Sequence, residues 1–241
     1  MKTLNKLIPT MALAIVAAGI SNAATVSYVA TQGPTLTDFN INLVLSNFDT
    51  SLGTLTGATL RFTATDDIAS LNLTNTSGAA QAFRYRSIAD FFIIGNSNDS
   101  TLVVTDLPVT NFDSGFITLG AAGSGACAPA TPSAACNSVS YAPPSASANT
   151  GNVNVSNLAA YISSVGHTTF TLDGFTSTST TFNGGGGNIN STQVTNGTAV
   201  AAVTYTYDAA PPPPVGTPEP ATMALMGSSL IGLALFGRRK K

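Results

Sequence analysis

The chain has 241 residues and a formal net charge of −2, with 44% hydrophobic and only 8% charged residues. That hydrophobic share excludes wholesale disorder, and the scarcity of charge excludes a solvated polyelectrolyte. Between Ala24 and Gly216 lie three basic residues (Arg61, Arg84 and Arg86) against ten Asp, with no Lys and no Glu; phosphate binding needs clustered Lys and Arg, so a nucleic-acid partner is excluded.

Residues 1–23 read as a secretory signal peptide. Lys2 and Lys6 form the charged start, and Leu7 to Ile20 is an apolar stretch interrupted by Pro9. A membrane span needs about 20 apolar residues, so this stretch is short for one. Ser21 and Ala23 put small residues where a signal peptidase needs them, and the cut falls between Ala23 and Ala24. The expectation is export through the general secretion machinery.

Residues 24–208 read as one all-β ectodomain. Phe39, Ile41, Leu43 and Leu45 share one parity; so do Leu60, Phe62 and Ala64, then Leu71 and Leu73, and finally Ala201, Val203, Tyr205 and Tyr207. Period-two alternation predicts strands with one buried and one wet face, and Thr suits the wet face. Thr168 to Leu172 and Phe175 to Phe182 add two further runs. Turns are expected at Gly33-Pro34, Ser51 to Gly53, Asn75 to Gly78 and Gly95 to Asn98. Many short strands with Gly and Asn turns point to an antiparallel β-sandwich, immunoglobulin-like or jelly-roll-like. Gly120 to Asn152, rich in Gly, Ala, Ser and Pro, reads as a long loop or insertion. Asn157 to Ser163 reads as a short helix with Asn157 as its N-cap, and Gly184 to Gly187 as a mobile tip.

Few residues in this region carry chemistry. Cys127 and Cys136 are the two cysteines, and in an exported chain pairing outweighs a redox or zinc site. Closing so short a loop stabilises by about 2–3 kcal/mol. His167 is the single histidine; a Ser/His/Asp set with Asp173 as orienter lacks the Gly-x-Ser-x-Gly elbow, so a surface histidine is expected. Asp66 and Asp67 would face opposite sides of a strand, or be solvated in a turn, and do not suit paired acid–base work. Asn96, Asn98 and Asp99 cluster as calcium ligands do, but without the spacing of a calcium loop, and solvated turns are the better reading. Arg84 and Arg86 would share a wet strand face, open to a small anion or sugar. No catalytic residue, no metal and no cofactor is expected.

Residues 209–216 form a linker with four consecutive prolines, which favours an extended polyproline helix. Residues 217–241 follow. Pro218, Glu219 and Pro220 precede Ala221 to Gly237, 17 residues without a charge, and then Arg238, Arg239, Lys240 and Lys241. At 1.5 Å per residue a helix of that length reaches roughly 25 Å, close to the hydrocarbon thickness. Four cations keep to the cytoplasmic side, so the expected orientation is ectodomain outside and basic tip inside. Two prolines flanking one acid make a stiff, extended segment that cannot join the helix.

That order, TPEPATMALMGSSLIGLALFGRRKK, closely resembles the PEP-CTERM sorting signal of Gram-negative bacteria. The resemblance implies recognition of Pro218, Glu219 and Pro220 by an exosortase, a membrane-embedded transpeptidase-like enzyme. It implies Ala221 to Gly237 as the membrane helix and Arg238 to Lys241 as the stop, in a setting of exopolysaccharide and biofilm. The ectodomain, through VSYVATQGPTLTDFNINLVLSNFDTSLGTLTGATLRF, TNTSGAAQAF, NLAAYISSVGHTTFTLDG and AVTYTY, resembles the choice-of-anchor E domain, one ectodomain paired with different anchoring tails. The expectation is an exported structural or matrix-associated protein, held first at the inner membrane and then at the cell surface or in the matrix. A carbohydrate- or protein-binding module is the second expectation, and a secreted hydrolase a distant third.

Overall fold

The computed structural model describes residues 23–96, 99, 105–164, 168–211 and 225–229. The chain divides into two compact units, residues 1–209 and 210–241. The first contains ten described strands: β1 (Ala23–Leu36), β2 (Asn40–Ser46), β3 (Gly53–Asn75), β4 (Gln81–Gly95), β5 (Thr105–Leu119), β6 (Ser138–Tyr141), β7 (Ala146–Asn149), β8 (Val153–Asn154), β9 (Thr169–Gly184) and β10 (Ile189–Ala209). They form two antiparallel sheets. One runs β1-β10-β3-β6, with β7 and β8 also paired to β3; the other runs β2-β9-β4-β5. Ile41, Leu43 and Leu45 of β2, Phe91 of β4 and Phe170 of β9 share one buried cluster with Leu60 and Phe62 of β3 and Ala201 and Val203 of β10. The sheets therefore pack face to face, as the alternation required.

The parity change in the sequence has a structural cause. Phe62, Ala64 and Ile68 face inward at even positions, whereas Leu71 and Leu73 do so at odd ones. Opposite this change the register with β10 steps from Val194↔Ser70 to Thr195↔Ile68, leaving Ala69 as an extra residue. This bulge lets β3 continue as one 23-residue strand while both apolar sets stay inside.

Several expectations need correction. Gly33-Pro34 is not a chain reversal: it is a cis peptide within β1, where the register with β10 shifts. The two runs at 168–182 are one strand, β9. Residues 120–152 are no free loop, because β6 and β7 line the edge of β3. Buried Asn75 holds this segment, donating from Nδ2 to the carbonyls of Ala79 (2.8 Å) and Gly120 (2.7 Å). The short helix is a 3-10 turn over Leu158–Tyr161, and Asn157 makes no side-chain cap. Within the glycine tip Gly185 is buried, and a Cβ there would stand 2.6 Å from Ile189 Cγ1, whereas Gly184, Gly186 and Gly187 are exposed.

Sheet edges are blunted by particular side chains. Gln32 of β1 reaches β2, donating from Nε2 to the Asn40 carbonyl (2.8 Å) and accepting from the Asn42 amide at Oε1 (2.7 Å). It thus occupies backbone groups that a foreign strand would otherwise find. β5 carries Pro108 and two register shifts against β4.

At Gly174 the backbones of β9 and β4 approach so closely that a Cβ would overlap the Phe92 carbonyl oxygen. Backbone cannot swing away as a side chain does, so Gly174→Ala is expected to destabilise by about 2 kcal/mol or more. A urea midpoint unchanged from wild type would contradict this.

Candidate functional site

The inward faces are not wholly apolar. The buried apolar residues fall into two clusters. One contains Ala64, Ala89, Val109 and Ala199; the other contains Ile68, Tyr85 and Leu119. Between them, on four strands, lie buried Asp66, Ser87, Asn111 and Thr195. Gln193 ties this belt across the sheets. Its Oε1 accepts from the Tyr85 hydroxyl (2.5 Å), and its Nε2 donates to Ser87 Oγ (2.9 Å) and Thr195 Oγ1 (2.6 Å). Asn111 Nδ2 donates to Asp66 Oδ2, a second bond between the sheets. Buried polar groups are costly unless hydrogen-bonded, so these bonds favour one alignment of the two sheets. Asp66 Oδ1 and Asn111 Oδ1 are buried and accept no hydrogen bond from the protein. Burial pushes the Asp66 carboxyl up to about 6, with the Asn111 hydrogen bond opposing and the charge of Asp67 adding to the rise.

Asp66 and Asp67 do point to opposite sides, Asp66 inward and Asp67 outward, where it accepts from Ser145 Oγ (3.1 Å). Arg84 and Arg86 share the exposed face of β4, while Tyr85 between them is buried. Arg84 makes a bidentate ion pair with Asp113 of β5, and Arg86 Nη2 donates to Thr110 Oγ1 (3.1 Å). The Arg84 hydrogen bond holds the Asp113 carboxyl down at about 2. A shallow cavity of about 290 Å³ lies beside them, lined also by Thr181, Phe182 and Asn183. Such an exposed pair contributes little to stability, and Arg84 is already engaged by Asp113.

The turn after β4 overturns the reading of solvated side chains. Asn96 and Asp99 are 5% and 2% exposed. Asp99 Oδ2 accepts from the Tyr161 hydroxyl (2.9 Å), and burial pushes the Tyr161 phenol well up. Asn98, the third residue of that cluster, lies outside the described residues, as does His167. Asp173 sits on the outer face of β9 and accepts from Asn42 Nδ2 (3.3 Å). Among the described residues, no group of three or more His, Cys, Asp or Glu is placed to hold a metal ion. Cys127 and Cys136 form a disulfide, with Cα atoms 5.2 Å apart. It closes a loop anchored by Cys127 N–H to the Ser138 carbonyl (2.7 Å) and Asn137 N–H to the Gly125 carbonyl (2.8 Å). Sequence reasoning missed the belt, for which a run of Asp, Ser and Asn at inward parity is the only linear trace.

The opposite, outer face of the β2-β9-β4-β5 sheet carries an aromatic pair. Phe92 and Phe175 stack across strands with centroids 4.7 Å apart and 25° between planes, and Phe175 is 40% exposed. Asn40 lies next to Phe175 in the register, and Asn42 next to Asp173.

In the second unit, residues 225–229 are helical, within the expected membrane segment. Leu225 and Met226 are exposed. Ser228 Oγ donates to the Leu225 carbonyl (3.0 Å) and Ser229 Oγ to the Met226 carbonyl (2.8 Å), so both hydroxyls are satisfied by their own helix. Among the described residues, no helix is long and apolar enough to cross a membrane. Residues 1–22 of the expected signal peptide and residues 218–220, 221–224 and 230–241 lie outside the described residues.

Two antiparallel sheets followed by a separate tail define an all-β protein whose address is carried outside its fold. That tail matches the PEP-CTERM protein-sorting motif over residues 217–240. The motif implies export, processing by an exosortase and sorting to the cell surface. No curated protein and no solved structure matches the chain.

Proposed function

We propose that this is a non-enzymatic, matrix-associated surface protein, delivered to a Gram-negative envelope as an inner-membrane intermediate and released or anchored through its tail. The sorting motif at residues 217–240 carries the reading. The Ser228 and Ser229 back-bonds support it, because a hydroxyl in lipid needs a partner within its own helix. The signal peptide, the cut between Ala23 and Ala24 and the span from Ala221 to Gly237 belong to this proposal. So does an ectodomain of the choice-of-anchor E kind, an immunoglobulin-like or jelly-roll-like sandwich set beside exopolysaccharide. The domain acts by bulk and durability. Few charges, a net acidic, Thr-bearing domain and a stapled loop suit a matrix constituent.

The expected intact mass from the native host corresponds to a chain starting at Ala24 and ending near Pro220. Replacing Pro218, Glu219 and Pro220 together with Ala is expected to leave the tail uncut. A protein retaining both ends in the wild-type host, or processed normally in the variant, would overturn the reading.

The outer face of β9 favours a second role, as a carbohydrate-binding module. An exposed aromatic pair flanked by Asn and Asp side chains offers both apolar contact to sugar rings and hydrogen bonds to hydroxyls. Binding of the host's own polysaccharide, weakened tenfold or more by Phe175→Ala at unchanged stability, would support it; no binding by wild type would dismiss it.

A further inference from the structure

The two orphaned atoms of the belt are of one kind. Asp66 Oδ1 and Asn111 Oδ1 are both acceptors, both buried, and they belong to two groups already joined by the Asn111 Nδ2–H to Asp66 Oδ2 bond. Left as they stand, an ionised carboxylate sits in the core with one oxygen unpartnered, beside a carbonyl oxygen that is unpartnered too. A single proton satisfies both. We propose that Asp66 and Asn111 form a proton-binding site: the folded domain takes one proton from solvent onto Asp66 Oδ1, which donates it to Asn111 Oδ1, closing an acid–amide ring. The charge leaves the core, and each of the four side-chain heteroatoms acquires a partner.

Among the described residues, the surroundings carry no cation to hold the carboxylate ionised. In the ladder Asp66 lies between Gly197 of β10 and Ala146 of β7. β10 presents Gln193 and Thr195 nearby, and β4 presents Ser87 and the Tyr85 phenol, which burial keeps protonated. The Asp67 side chain, on the far side of β3, adds negative charge, which outweighs the opposing hydrogen bond from the Asp67 backbone. Arg84 and Arg86 lie on the outer face of β4 and engage Asp113 and Thr110.

The direction of the resulting pH dependence follows from linkage. The folded state holds this proton up to about pH 6, whereas an ordinary Asp releases it near 3.8. The stabilisation is full below 3.8 and is lost as the pH rises through 6. For an exported domain, whose pH is set by its surroundings, acid tightens the fold and neutrality loosens it.

The test is the carboxyl 13C resonance of Asp66 in the purified full chain, followed from pH 3 to pH 8 beside urea unfolding of wild type and Asp66→Asn. Asp66 is expected to titrate near 6, and the wild-type folding constant to fall by about fiftyfold from pH 4 to pH 7. Asp66→Asn, whose amide can donate to Asn111 Oδ1, should fold and lack that component. Titration of Asp66 in the ordinary carboxylate range, as for an ionised group bridged by water, would overturn the proposal. So would the same pH-dependent loss in Asp66→Asn as in wild type.

Discussion

The pairing of β3 with β10 is the constraint on which the rest of the domain depends. It runs from Gly53↔Ala209 to Asn75↔Ile189, the longest ladder in the structure. These two strands supply most of one wall for both apolar clusters. They also place Asp66 and Thr195 in the polar belt and give β1, β6, β7 and β8 their edges to pair with. Because side chains alternate with period two, a slip of one residue in this ladder would turn Phe62, Leu60, Val203 and Tyr205 toward water. The bulge at Ala69 is what allows one ladder to serve two clusters of opposite parity.

The belt fixes a second alignment, that of one sheet over the other. Apolar side chains tolerate sliding, since burial depends on area and not on direction. Hydrogen bonds do not. Gln193 bonding Tyr85 and Ser87, and Asn111 bonding Asp66, fix how the two sheets lie over one another. Tyr205, whose hydroxyl donates to the Ser46 carbonyl (2.9 Å), makes a third such link at the other end. Gly197, opposite Asp66 in the ladder, leaves room for two rings of the apolar cluster: a Cβ there would stand 2.9 Å from Phe39 Cε1 and 3.2 Å from Phe91 Cζ.

Alternation was readable because it is local, so Ile41 to Leu45, Leu60 to Ala64, Leu71 to Leu73 and Ala201 to Tyr205 face inward as their parity required. Features that depend on distant partners were not readable. The sequence of residues 120–152 has the composition of a loop, yet β6 and β7 pair with β3 because that edge would otherwise be open. Asn96 and Asp99 look like a wet turn until Tyr161, more than sixty residues away, is brought onto Asp99. The tail was legible for a different reason. A sorting signal must be recognised as a segment, so Pro218, Glu219, Pro220, the apolar stretch and the basic tip stand in linear order. The address is thus written in local sequence, and the fold in long-range pairing.

Amide hydrogen exchange of the folded chain tests the central claim about the ladder directly. If β3 and β10 hold both clusters and the belt together, the slowest amides lie in both strands, from Phe62 to Leu73 and from Val194 to Tyr205, and they exchange only through global unfolding. Slowest exchange confined to the β2-β9-β4-β5 sheet, with β3 and β10 opening earlier, would contradict the account.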